Sequence, residues 1–161
     1  MPFIYGVVPG VNFTTSATPN TEVDALFIKP GATRDVNLIS SSLQGKGAAL
    51  TSLSGIIQRV KKWTTTASSG GTAITPSARD PGDQAAKATA GQASAGVTSG
   101  TGGPVLQVVF GCSASGPGSW SWLNNADVAI ALEGAATQSI DVFNSSGTAS
   151  LLHELSVDIL E

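Results

Sequence analysis

Side chains able to do chemistry are few in this chain: one histidine, one cysteine and eleven carboxylates among 161 residues. Nucleophilic catalysis needs a base beside its nucleophile. The sole histidine, His153, lies in Leu151-Leu152-His153-Glu154-Leu155. Positions 151, 153 and 155 share one face of a strand, so His153 reads as a structural histidine flanked by leucines. Gly111-Cys112-Ser113-Ala114-Ser115-Gly116 has the outline of a nucleophile elbow, but its second glycine comes one place late and no helix follows it. Cys112 ends an apolar run and reads as a buried hydrophobe, and a lone cysteine forms no intrachain disulfide. The carboxylates are dispersed. Asp80 and Asp83 belong to a turn and not to a calcium loop, and no acid pair marks a glycoside hydrolase. Gly45-Lys46-Gly47 and Gly100-Thr101-Gly102-Gly103 lack the rest of any phosphate-binding fingerprint. The expectation is a protein without catalytic, metal or cofactor residues, and not an enzyme.

Two features point instead to binding. Trp120 and Trp122 are two apart and share a strand face, which is either core or a platform for sugar rings. Arg59, Lys61 and Lys62 gather three of the eight basic residues beside Trp63, a docking patch for an acidic neighbour. Overall the chain carries a net charge of −3, so it lacks the basic footprint of a nucleic-acid binder. No apolar run approaches the roughly 18 residues of a membrane span, and Met1-Pro2-Phe3-Ile4-Tyr5 does not open a secretory signal. Manufacture in the cytoplasm is expected.

The elements that would position these residues are strands. Val105 to Cys112 is a buried strand closed by a Gly/Pro/Ser turn, and Ser119 to Leu123 alternates small polar with large aromatic residues. Val128 to Glu133, Ser139 to Phe143 and Ser150 to Leu160 follow, and Asn144-Ser145-Ser146-Gly147 reads as a tight turn before the last of them. Upstream, Glu22–Lys29 and Arg34–Ser40 read as strands, and Pro30-Gly31 separates them. Thr51 to Trp63 places Leu53, Ile56, Ile57 and Val60 on a helical stripe, yet Gly55, the β-branched residues and the run of threonines after Trp63 favour a strand. Residues 64–103 contain no aromatic and only Ile74 and Val97 as large aliphatics. They cannot bury a core of their own and read as a long Ala/Gly/Ser/Thr-rich loop excursion, with Gln84 to Ala90 long enough for a helical turn. Residues 1–21 read as an N-terminal arm and loop, in which Phe3-Ile4-Tyr5-Gly6-Val7-Val8 is either a first strand or an arm that lies on a neighbour. Together these spacings predict one all-β domain over 1–161, an antiparallel β-sandwich or barrel, of which we take the single sandwich.

Several segments carry a resemblance. Tyr5-Gly6-Val7-Val8-Pro9-Gly10-Val11-Asn12-Phe13-Thr14, the strands ending near Lys62, Gly70-Gly71-Thr72 with Thr75-Pro76, Asp80-Pro81-Gly82-Asp83-Gln84-Ala85-Ala86 and Trp120 are together similar to jelly-roll head decoration, or cement, proteins of tailed bacteriophages. The chain departs from that pattern in ending Asp158-Ile159-Leu160-Glu161, without a tryptophan and paired acids. The resemblance implies a jelly-roll sandwich on the surface of the virion head, commonly a homotrimer, whose partner is the major capsid protein. It brings no catalytic residues. Copies would bridge capsid subunits through Phe3, Tyr5, Arg59, Lys61, Lys62, Trp63, Arg79 and Asp80. The alternative expectation is a lectin-like jelly roll of a phage fibre or surface protein, using Trp120 and Trp122.

Overall fold

The computed structural model describes residues 2–46, 55–102, 107–113, 117–121, 130–147 and 150–161, with the backbone alone at 93–95, 107–113 and 117–121. Among them lie thirteen strands and no helix: β1 (Ile4–Val7), β2 (Phe13–Thr14), β3 (Val23–Lys29), β4 (Val36–Gly45), β5 (Gly55–Trp63), β6 (Ser69–Ile74), β7 (Ser77–Ala78), β8 (Thr89–Thr98), β9 (Gln107–Ser113), β10 (Pro117–Ser121), β11 (Ile130–Leu132), β12 (Ser139–Ser146) and β13 (Leu152–Leu160). They form two antiparallel sheets. The first runs β10-β4-β13-β1-β7, with β11 continuing beside β4 and β2 beside β13; the second runs β6-β8-β3-β12-β5-β9. This is a jelly-roll-like β-sandwich, as expected from the period-two pattern.

β13 shows how that pattern works. His153, Leu155, Val157 and Ile159 are buried, while Leu152, Glu154, Ser156, Asp158 and Leu160 alternate outward. Tyr5, Val7, Leu38, Leu43, Val157 and Ile159 of the first sheet share one hydrophobic cluster with Leu26, Ile28, Ile56, Val60, Ile140 and Val142 of the second. Burying each large aliphatic side chain stabilises the fold by about 1.5–3 kcal/mol.

Three stretches differ from expectation. Residues 4–7 are not a free arm: β1 pairs with β13 on one side and β7 on the other, and it places Tyr5 and Val7 in the core. Residues 64–103, expected as a loop excursion, carry β6 and β8 in one sheet and β7 in the other. Their alanines serve as small core residues, with Ala88 and Ala90 buried and Ala78 and Ala86 packed beside them. The turn of helix expected at 84–90 is absent, because extended chain there reaches Glu161, whose carboxylate accepts the Lys87 backbone N–H at 2.8 and 3.0 Å. Finally, Asn144-Ser145-Ser146 does not form a tight turn but continues β12, which stays buried throughout. Residues 55–63 are strand, as the β-branched residues argued; 51–54 lie outside the described residues.

Candidate functional site

Polar side chains gather in three places, and each has a different relation to water. The first is inside the sandwich. His153 Nδ1 lies 3.2 Å from the Leu151 carbonyl, which only accepts, so Nδ1 carries the proton. Nε2 is then the acceptor for the Asn144 amide N–H at 2.6 Å. Phe13 stacks on the ring at a centroid distance of 5.9 Å. Burial lowers the histidine pKa, so the imidazole stays neutral. This is the structural histidine that the spacing of 151, 153 and 155 implied.

The second place is the outer face of the second sheet. A register shift opposite Val142 and Phe143 turns Asp24 to the same side as Asp141. Two loop segments close over the pair. Ser68 and Ser139 hydroxyls donate to the two Asp141 oxygens, the latter at 2.7 Å, and Ser99 donates to Asp24 Oδ2 at 2.7 Å. The Gly100 N–H donates to Ser68 Oγ at 2.7 Å, and the Ser68 N–H to Ser139 Oγ at 3.0 Å, which locks the loops together. Burial pushes the Asp24 carboxyl up to about 9; Asp141 adds to the rise, while Ser99 and Lys61 oppose it. Burial also raises Asp141, against the hydrogen bonds that reach it. Two carboxyls this close in a dry setting hold a proton at neutral pH. The acids that looked dispersed along the chain thus include one buried pair. Its sequence signal is an acid inside an apolar run, Val23-Asp24-Ala25-Leu26 and Ile140-Asp141-Val142.

The third place is an open groove of about 500 Å³ on the outer face of the first sheet. Its lip is the Val8–Asn12 loop, and its floor is Ser42 and Gln44 of β4 with Glu154, Leu155 and Ser156 of β13. Nothing in the sequence alone singled out this site.

The eight residues expected at an interface fall on both sheets. On the first, the Tyr5 side chain is only 1% exposed and donates its hydroxyl to the Gln84 carbonyl at 2.9 Å, so it belongs to the core and not to a docking surface. Phe3 is half-buried and exchanges backbone bonds with Glu161. Arg79 crosses to Asp158, and Asp80 caps its own turn by accepting the Gly82 N–H at 3.0 Å. On the second sheet, Arg59 and Lys61 both bind Glu22, and their charges hold its carboxyl low despite its partial burial. Lys61 also sits 4.3 Å above the Phe143 ring, and Trp63 meets that ring edge-on at 6.4 Å. Lys62 is half-buried on the same strand. Two of the cluster's three cations thus share one carboxylate within the fold. Trp120 lies opposite Ser41, whose side chain points into the sandwich; Trp122 falls outside the described residues.

Fold and sites together define a jelly-roll-like sandwich with one sealed acid pair and one open groove. Among the described residues, no three His, Cys, Asp or Glu side chains meet as a metal-binding set. No protein-family model, curated protein or solved structure matches the chain.

Proposed function

We propose that the chain is a structural virion protein, a head decoration protein that self-associates as a trimer and docks on the major capsid protein of a phage shell. The observation that carries this reading is the β6–β8 edge of the second sheet. Exposed edge strands are normally guarded by charged side chains, because a bare ladder invites pairing. Here Thr64 to Ala78 and Ala88 to Gly102 contain no charged residue. β6 is largely exposed, and its Ser, Gly, Thr and Ala side chains lose little rotamer freedom when covered. Such an edge suits a protein that spends its life against another surface. The sequence segments similar to decoration proteins include this edge, at Gly70-Gly71-Thr72. Many modest contacts per shell add through avidity, and binding only to the assembled lattice stabilises it by mass action.

The test is co-sedimentation with expanded shells of the cognate capsid protein. Saturable binding and a raised shell melting temperature are expected. Ala73→Lys, which places a charge at an exposed position of β6, should lower occupancy while leaving the melting point of the free protein unchanged. No binding by the wild type at saturating concentration refutes the reading.

A further inference from the structure

The groove on the first sheet owes its shape to an interrupted ladder. Phe3 and Glu161 exchange both backbone bonds, at 2.8 and 2.9 Å, and Thr15 N–H donates to the Leu151 carbonyl at 2.9 Å. In an antiparallel pair the bonded positions alternate, so residues 151, 153, 155, 157, 159 and 161 all direct their N–H and C=O toward the β1/β2 side. The bond from Lys46 N–H to the Leu152 carbonyl at 2.9 Å agrees, since it turns the even positions toward β4. β1 ends at Val7 opposite Val157, and β2 resumes at Phe13 opposite His153. Leu155 has no strand opposite it on that side. Continuing the β1 register would bring Pro9 there, and proline has no N–H to donate. Residues 8–12 instead bow outward as the lip of the groove. The Leu155 side chain faces the core, yet Leu155 lines the groove, which is what exposure of its main chain would produce.

We propose that this groove binds an N-acetylated sugar, with the Leu155 main chain pairing the ligand's acetamido group. A secondary amide offers one N–H and one C=O side by side, the complement of a single open ladder position. Val8 and Val11, 58% and 39% exposed, supply an apolar lip for the acetyl methyl and the ring's C–H face, with Pro9 buried beneath them. Ser42, Ser156, Gln44 and Glu154 supply hydroxyl, amide and carboxylate groups for ring hydroxyls. Glu154 is oriented by Lys46 at 3.0 Å. The volume of about 500 Å³ lies within the range of small-ligand sites. An extended peptide fits less well, because strand addition needs a run of open positions and this edge offers one. The groove opens on the sheet opposite the β6 edge, and the inference does not rest on shell binding.

Titration of the free protein followed by amide NMR tests it. N-acetylglucosamine should produce saturable shifts at Ser42, Gln44 and Glu154–Ser156, with the Leu155 amide among them. Glucose, which lacks the amide, should bind about tenfold more weakly, the loss expected for two unmade hydrogen bonds. Ser42→Trp, at an outward position, should fill the groove and remove the shifts at an unchanged melting temperature. Absence of saturable shifts with N-acetylglucosamine, or equal binding of glucose, overturns the proposal. Binding of an N-acetyl, N-methylamide alanine in place of the sugar overturns the assignment to sugars. The ligand comparison in the wild type decides the matter even if the tryptophan variant does not fold.

Discussion

The outer faces of the two sheets start from similar material and end in opposite states. Both carry acids and serines at outward positions: Asp141 and Ser139 on β12, and Asp158, Ser156 and Ser42 on β13 and β4. On the second sheet, the segments before β6 and after β8 fold down over them, and every residue of β12 becomes buried. On the first sheet Arg79 and Ser40 cover Asp158, but the nearest loop, Val8–Asn12, leaves Ser42 and Ser156 lining open space. The difference lies in what the loop offers. Ser68 and Ser99 supply short donors at the right height for carboxyl oxygens, and the Gly100 N–H holds Ser68 in place. Val8, Pro9 and Val11 have nothing comparable in their side chains, and Pro9 lacks even a backbone donor. A polar sheet face is sealed only where the loop above it can satisfy its hydrogen bonds.

The hardest test of this contrast removes β1, from which the open face's loop springs. Deleting residues 1–10 takes Tyr5 and Val7 out of the core and strips β13 of a neighbour. Losing a buried aromatic alone costs about 3–5 kcal/mol, a large share of the roughly 5–15 kcal/mol that holds a domain together. We expect the cooperative thermal transition in circular dichroism to disappear. A deletion protein that melts like the wild type would show β1 to be an appendage after all.

The next test uses pH, because the sealed face and the sandwich interior have opposite signs. The folded-state pKa of Asp24, at about 9, lies above its ordinary value near 3.8, so the folded protein holds a proton that the unfolded chain releases. The stability this proton contributes is full below the ordinary pKa and is lost as pH rises toward about 9. The slope is at most about 1.4 kcal/mol per pH unit for one proton. His153 behaves in the reverse sense. Its pKa is lowered in the fold, so its contribution is present above 6.5 and is lost as pH falls below that value. Chemical denaturation of the wild type should therefore show stability falling with alkaline pH. Asp24→Asn should flatten that fall and expose a stability that rises with pH up to the histidine range. An unchanged alkaline slope in the variant would mean that Asp24 is ionised in the folded protein.

How much of this was legible follows from the range over which each feature is decided. β13 could be read directly, because its alternation of Leu, Val and Ile with polar residues is local. β5 was harder, since the buried Gln58 sits between Ile56 and Val60 and breaks the apolar period; its amide carbonyl is taken by Ser41 from the facing sheet. Residues 64–103 were misjudged because a core needs fillers as well as large aliphatics, and Ala88 and Ala90 fill gaps made by distant strands. The Asp24–Asp141 pair and the gap beside Leu155 depend on which strands become neighbours. β12 and β13 are consecutive, yet they lie in different sheets. No local spacing encodes that crossing.

The smallest effects come from a pair of glycines, one on each face. A Cβ built on Gly100 would lie 2.2 Å from the Thr66 carbonyl oxygen and 2.8 Å from the Trp63 ring, while one on Gly10 would meet nothing within 4 Å. Gly100→Ala must lift the loop whose N–H holds Ser68 over Asp141, and overpacking of this kind costs about 1–3 kcal/mol. Gly10 has no left-handed φ, so Gly10→Ala should leave stability unchanged or raise it by up to about 1 kcal/mol through a less disordered unfolded chain. Urea denaturation of the two variants reads both numbers. Only the Gly100 variant should also lower the apparent pKa of the Asp24 group, since lifting the loop admits water to the carboxyl pair. Equal costs at the two glycines would erase the distinction between a sealed face and an open one.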